Sequence, residues 1–166
     1  LDNKIHKTRK PKVKQRLYYN GHYKIQGRMT QLLLDFDGYI VGFLTNIPGK
    51  IHDSLSGIYN KVFPQILGKY FCIGDSGFNG VQFVVPGFQN CNVNSPSRRI
   101  FDKISRKEQV IIENVNKFFK DCRSINKLDT FMHGDHRLLA CIFIAVGFYN
   151  MKRSWGYYQP FESNRI

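Results

Sequence analysis

The stretch Lys69-Tyr-Phe-Cys-Ile-Gly-Asp-Ser-Gly-Phe78 closes a short apolar run on an aspartate held between two glycines. Tyr70 to Ile73 reads as a buried strand, so Asp75 stands where that strand emerges. Asp, Ser and Gly are turn residues, and a tight turn alone accounts for them. A reactive carboxylate presented at a strand end accounts for them too. The choice depends on what the rest of the chain brings to the same place.

On the N-terminal side, "IPGKIHDSLSGIYNKVFPQIL" predicts a helix. Asp53 or Ser54 is placed to cap it. Leu55, Ile58, Tyr59, Val62, Phe63 and Ile66 are spaced for one apolar face, and Pro64 is expected to bend the helix or end it early. Before it, two apolar segments flank Asp35-Phe-Asp-Gly38, a strong hairpin signal. Asp35 and Asp37 there read as turn residues in preference to metal ligands. On the C-terminal side, Gln82 to Val85 is a second short apolar run, stopped by Pro86-Gly87, and "GFQNCNVNSPSRR" reads as loop. From about Ser105 to Cys122 the pattern is helical. Ile111, Val115, Phe118, Phe119 and Cys122 form its apolar stripe. Arg106, Gln109, Glu113, Asn116, Lys117 and Lys120 take the opposite face. A last helix, about His136 to Lys152, is apolar nearly all round and is expected to be well buried. Strands and helices sharing one core make an α/β domain.

The chain has 166 residues and 42% apolar content, enough for one domain with a real core. Fourteen Phe and nine Tyr argue against disorder. The net charge of +13 points to a polyanionic partner, nucleic acid before an anionic membrane surface. No apolar run is long enough to span a bilayer; DNA is the expected partner and a membrane is not. The four cysteines (Cys72, Cys91, Cys122 and Cys141) lack CxxC spacing and read as reduced thiols of an intracellular protein.

Positive charge is densest in the first 28 residues, where nine Lys and Arg face the single acid Asp2. Lys7, Arg9, Lys10, Lys12, Lys14, Arg16 and Lys24 are the candidate nucleic-acid contacts. Tyr18, Tyr19, His22 and Tyr23 are interleaved with the later charges. Cations beside aromatics suit phosphate neutralisation with stacking; a flexible, solvated basic arm over residues 3–28 is the plainer account.

Three carboxylates stand out by context. Asp2 lies near the start of a possible strand, "LDNKI"; Asp75 ends another; Glu113 sits on a helix face that is otherwise cationic or amide. Brought together, they repel unless cations neutralise them. Mg²⁺ or Mn²⁺ prefers such oxygen ligands, and two ions side by side activate water or a hydroxyl at a phosphodiester. Taken one by one, each acid is equally at home in a cap, a turn or a salt bridge.

The blocks "QRLYYNGHYK", "QLLLDFDGYI", "PGKIHDS", "GDSGF" and "IIENVNKFFK" resemble, in order and over nearly the whole chain, the DDE nuclease domain of PIF/Harbinger-type transposases. The resemblance implies an RNase H-like mixed sheet flanked by helices over residues 1–152, with 153–166 as a tail. By position it places the catalytic, metal-holding triad on Asp2, Asp75 and Glu113, with two Mg²⁺ or Mn²⁺ ions. Asp53 and Lys120 become supporting residues. Thirty-seven residues separate Asp75 from Glu113, a typical family interval. Gln109 stands where the family often has Arg, and Lys117 where it usually has Gly. The implied activity is cleavage or transfer of DNA strands in the nucleus, with DNA recognition supplied by a separate DNA-binding partner protein. The chain starts at Leu, and the apolar residues expected ahead of the first aspartate are not in it, so an N-terminally truncated domain is expected.

Two other functions stay open: a catalytically inactive, domesticated transposase remnant that binds DNA or a protein, and an RNA-binding protein using the Tyr-rich arm. His133-Gly-Asp-His136 reads as a polar helix start, since nothing nearby completes a zinc set. Ser54 and Ser76 lack a Ser-His-Asp context, and no phosphate-binding glycine loop occurs. In this reading the turn and the reactive carboxylate at Asp75 are compatible: Gly74 and Gly77 let the backbone bend while Asp75 faces a metal.

Overall fold

A computed structural model describes residues 1–12, 14–86, 96–122, 125 and 135–156. The central strand is β3 (Ile25–Leu34), with β1 (Asp2–Lys7) antiparallel on it from Asp2↔Leu32 to Lys7↔Gly27. β4 (Ile40–Pro48) is also antiparallel to β3, and the two-residue β2 (Tyr19–Asn20) pairs with its start. The expected hairpin at Asp35–Gly38 is present. Gly38 takes φ +82°, and Asp35 Oδ1 accepts a 2.8 Å bond from the Tyr39 N–H, so Asp35 serves the turn. A second, parallel pair joins β5 (Cys72–Gly74) to β6 (Val84–Pro86). The Leu1 ammonium donates to the Ile73 carbonyl at 2.7 Å, bringing the start of β1 beside β5. The domain is thus mixed α/β, with antiparallel and parallel pairing.

The end of β3, Leu32 to Leu34, is apolar on both faces because both are covered. Successive strand residues point oppositely, so Leu32 and Leu33 enter different cores. Leu32 and Ile40 pack with Val115 and Phe119 of α4 (Pro96–Asp121) and with Leu138, Ile142, Ala145 and Tyr149 of α5 (Asp135–Ser154). Leu33 packs with Phe63, Cys72, Phe78, Val81 and Val84.

The basic segment is not one free arm. Residues 3–7 lie in β1, Gln15–Tyr18 form the short helix α1, and 25–28 open β3. Gly27 permits the tight β1–β3 approach, since a Cβ there would stand 2.8 Å from the His6 carbonyl oxygen. Arg28 stacks over the Tyr18 ring, 4.9 Å from its centroid.

The helix expected through Leu55–Ile66 is two helices, α2 (Asp53–Tyr59) and α3 (Phe63–Leu67). Asn60 breaks it: its Oδ1 accepts from the N–H groups of Val62 (2.9 Å) and Phe63 (3.0 Å), initiating α3. Pro64 therefore sits in an opening turn, where its missing N–H costs nothing. The expected apolar face is largely exposed, while Ser56, Gly57, Asn60 and Phe63 are buried. α2 approaches Val81 too closely for larger residues, since a Cβ at Gly57 would lie 2.6 Å from a Val81 methyl.

α4 starts earlier than expected, at Pro96; Val115, Phe118, Phe119 and Cys122 of its expected stripe pack on the core, while Ile111 is half-buried in the cleft wall. α5 buries one stripe only, Leu138, Ile142, Ala145 and Tyr149; Phe143, Ile144 and Phe148 are exposed. The described elements that meet it, β4 and α4, lie along that stripe. Among the described residues no helix is long and apolar enough to cross a membrane. Cys72, Cys122 and Cys141 are free thiols. Most of the expected Asn-rich loop (87–95, with Cys91), His133 of the histidine pair, and the tail beyond 156 lie outside the described residues.

Candidate functional site

A cleft of about 1250 Å³ is lined by β1, the end of β3 and its turn, the Ile66–Asp75 segment and α4. Asp2, Asp75, Glu113 and Lys120 all line it. Three elements bring them there, each by its own local cause. Alternation along β1 puts Asp2 and Lys4 on one face and Asn3 on the other. The polar face of α4 turns Gln109, Glu113, Asn116, Lys117 and Lys120 into the cleft as its apolar stripe packs behind. β5 delivers Asp75 at its end.

Asp2 is half-buried. Its Oδ1 accepts from the Asn3 N–H at 2.7 Å, and its Oδ2 from the Asn116 amide at 2.6 Å. Burial pushes its carboxyl above the usual carboxylate range; those two donors and the Leu1 ammonium pull the other way, and the charge of Asp53 adds to the rise. Burial, then the charge of Lys120, push the Lys4 ammonium down. Glu108, a half-buried neighbour in the cleft, is raised by burial.

Asp75 is exposed and does cap a turn. Its Oδ1 accepts from the N–H and the Oγ of Ser76 at the start of a 3-10 turn, Ser76–Phe78. The flanking glycines do not serve flexibility, as neither has a positive φ. They allow close approach. A Cβ at Gly74 would fall 2.6 Å from a Val84 methyl, and one at Gly77 2.7 Å from Asp53 Oδ2.

Asp53 is the first residue of α2 and makes no side-chain cap. Its Oδ1 instead accepts from the Asn3 amide at 2.6 Å. That amide also reaches Ser56 Oγ at 2.8 Å, and Ser56 accepts from buried Gln31 at 3.1 Å. Asp53 therefore stands between the residue next to Asp2 and the glycine two after Asp75. Glu113 is exposed on α4.

Of the seven basic-segment candidates, all exposed, Lys7 lines the cleft. Arg9, Lys10, Lys12, Lys14, Arg16 and Lys24 lie outside its lining. The structure adds Glu108 and a new role for Asn116. The spacing of α4 put Asn116 on the right face, but no sequence signal pairs it with Asp2.

Among the described residues no group of three or more His, Cys, Asp or Glu is gathered tightly enough to hold a metal ion. The donor set of Asp2, Asp75 and Glu113 is oxygen throughout, the type Mg²⁺ and Mn²⁺ take. Asn116 Oδ1, beside Asp2, is buried without a hydrogen-bond partner. An orphaned buried oxygen is costly, and a hard cation would satisfy it. By donor chemistry the residues fit such an ion.

Comparison with protein-family models, curated proteins and solved structures found no match to the chain.

Proposed function

We propose that the chain is the catalytic domain of a DDE-type nuclease or transposase of RNase H-like fold, acting on DNA phosphodiester bonds with divalent metal. The observation that carries this is the lining of a single cleft by Asp2, Asp75 and Glu113, three acids from distant parts of the chain. The strand arrangement supports the fold reading: β4, β3 and β1 run antiparallel, the start of β1 touches β5, β6 is parallel to β5, and helices pack on both faces.

In this reading Asp2, Asp75 and Glu113 hold two Mg²⁺ or Mn²⁺ ions, with Asn116 Oδ1 at hand. When bound, the ions supply Lewis acidity toward the phosphodiester. The chain's own residues do the rest. Asn116 and the Asn3 N–H orient the Asp2 carboxylate, and Asp53 steadies β1 against the turn that carries Asp75. Lys117 and Lys120 neutralise substrate phosphate. The partner is DNA, with site recognition supplied by a separate DNA-binding protein, and the compartment is the nucleus.

The test is Mg²⁺-dependent nicking of supercoiled plasmid. Asp75→Ala and Glu113→Ala should each abolish it with the fold intact by circular dichroism. Full activity in either variant refutes the assignment.

One observation favours a second reading. Both oxygens of Asp2 are already engaged by protein donors, and burial favours its neutral form. A binding module that no longer cleaves would look like this. It predicts salt-dependent DNA binding that is indifferent to Mg²⁺ and to Asp75→Asn.

A further inference from the structure

The cleft holds a feature that chemistry at a phosphodiester does not require. Four aromatic rings line it while staying largely exposed: Phe36 (73%), Tyr70 (69%), Phe71 (65%) and Tyr23 (58%). Large rings left open to water normally mark a binding surface when they cluster. Here they share the cleft with Lys4, Lys7, Lys117 and Lys120. The ammonium of Lys69 also stands 5.8 Å from the Tyr70 ring centroid, so charge and π-face are offered together.

We propose that this cleft takes an unpaired DNA strand, its bases stacked on Tyr70 and Phe71 and its phosphates met by the lysines. The inference rests on the nuclease reading and names the substrate form for the same site. Three physical points carry it. Rings presented in a groove with cations suit single strands, because every base has a π-face, whereas a continuous duplex hides those faces in its own stack. The cleft is larger than the usual small-molecule pocket, at about 1250 Å³. β5 (Cys72–Gly74) runs between Phe71 and Asp75, and at about 3.3 Å per strand residue it sets their α-carbons roughly 13 Å apart, so a base stacked on Phe71 fixes which phosphate lies near Asp75.

The cleft's charges sharpen the expectation. Its four lysines face Asp2, Asp35, Asp75, Glu108 and Glu113. The lining is close to neutral overall, so a polyanion enters well only once divalent ions offset the acids. Strand binding is therefore expected to strengthen with the divalent ion as well as to weaken with salt.

The experiment is fluorescence anisotropy with the whole chain, in Ca²⁺ as a substitute for Mg²⁺. The probes are a fluorescein-labelled single-stranded oligonucleotide and the blunt duplex of the same sequence. The single strand is expected to bind about tenfold more tightly than the duplex. Tyr70→Ala with Phe71→Ala should lower single-strand affinity about tenfold or more and leave duplex affinity within about twofold. Both rings are exposed, so an unchanged melting temperature is the control for folding. Equal binding of the two probes, or an equal loss for both in the double variant, overturns the proposal. Unchanged affinity for both probes overturns it too and reassigns the rings to a protein partner. If neither probe binds in any condition, the nucleic-acid reading of the whole site fails; if DNA binds and is nicked without regard to the rings, only this inference fails.

Discussion

The amide of Asn116 on α4 donates a 2.6 Å hydrogen bond to Asp2 on β1, across 114 residues of chain. This contact ties the helix that carries Glu113 to the strand that carries Asp2. It leaves Asn116 Oδ1 buried and without a hydrogen bond. Asn116→Ala should lower the nicking rate at least tenfold and raise the Mg²⁺ concentration needed for half-maximal activity, at a stability cost of about 1 kcal/mol. A Mg²⁺ titration of nicking decides; an unshifted midpoint would leave Asn116 a purely structural residue.

If Asp2 acts as proposed, it trades stability for function. Its carboxyl is raised by burial, so the unfolded chain releases this proton more readily than the folded one. The stabilisation linked to that proton is present below the ordinary carboxylate pKa of about 4 and is lost as pH rises through the raised folded value. Asp2→Asn removes the loss. A flipped Asn116 could then accept from the new amide through the oxygen now orphaned. The variant should melt at or above the wild-type temperature at neutral pH while nicking is abolished. A lower melting temperature at neutral pH would contradict the account.

His6 works in the opposite direction. It is buried, its Nε2 lies 3.0 Å from Thr30 Oγ1, and burial followed by the charge of Lys4 lowers its pKa from 6.5 to about 4. The folded state resists protonation, so this contribution is fully present above about pH 6.5 and is lost as pH falls through about 4. At about 1.4 kcal/mol per pKa unit it amounts to at most about 3.5 kcal/mol. Urea melts across that window should show stability falling with acid, and His6→Gln should flatten the curve. An unchanged slope in His6→Gln would assign the acid sensitivity elsewhere.

The two glycines around Asp75 should fail differently. Gly74→Ala drives a methyl into Val84 and Phe78 and should cost about 1–3 kcal/mol, partly recovered by Val84→Ala. Gly77→Ala pushes on Asp53 at an exposed turn. It should change the melting temperature little but lower activity about tenfold, by displacing Asp53 from Asn3. Thermal melts paired with nicking rates separate the two; identical profiles would mean that both positions are simply packing sites.

Much of the site was legible because it depends on local periodicity. The helical spacing of α4 put Glu113, Asn116, Lys117 and Lys120 on one polar face, and the structure turns most of that face into the cleft. Asp75 at the end of an apolar run was legible for the same reason. The purpose of its glycines was not, because it lies in Val84 and in Asp53, distant in sequence. The helix through Leu55 to Ile66 misread for a related reason. Its apolar spacing was real, but the close approach to Val81 demanded Gly57 and Ser56 inward, and Asn60 ended the helix through its own side chain. The basic segment read as an arm beyond the possible strand at "LDNKI" because charge masks alternation; paired against β3, that strand runs on to Lys7.

The opposed burial of Leu32 and Leu33 sets the spacing of the acids. Glu113 rides a helix seated on the core that Leu32 enters, and Asp75 a turn pinned by Phe78 in the core that Leu33 enters, with Asp2 on the sheet between. The two cores act as shims of fixed thickness on either side of one plate. Because interiors are packed at near-crystalline density, a methylene added to one core moves one acid and spares the other. Substitutions at Val84 or Val115 would therefore tune the gap between carboxylates from outside the cleft, each from its own side.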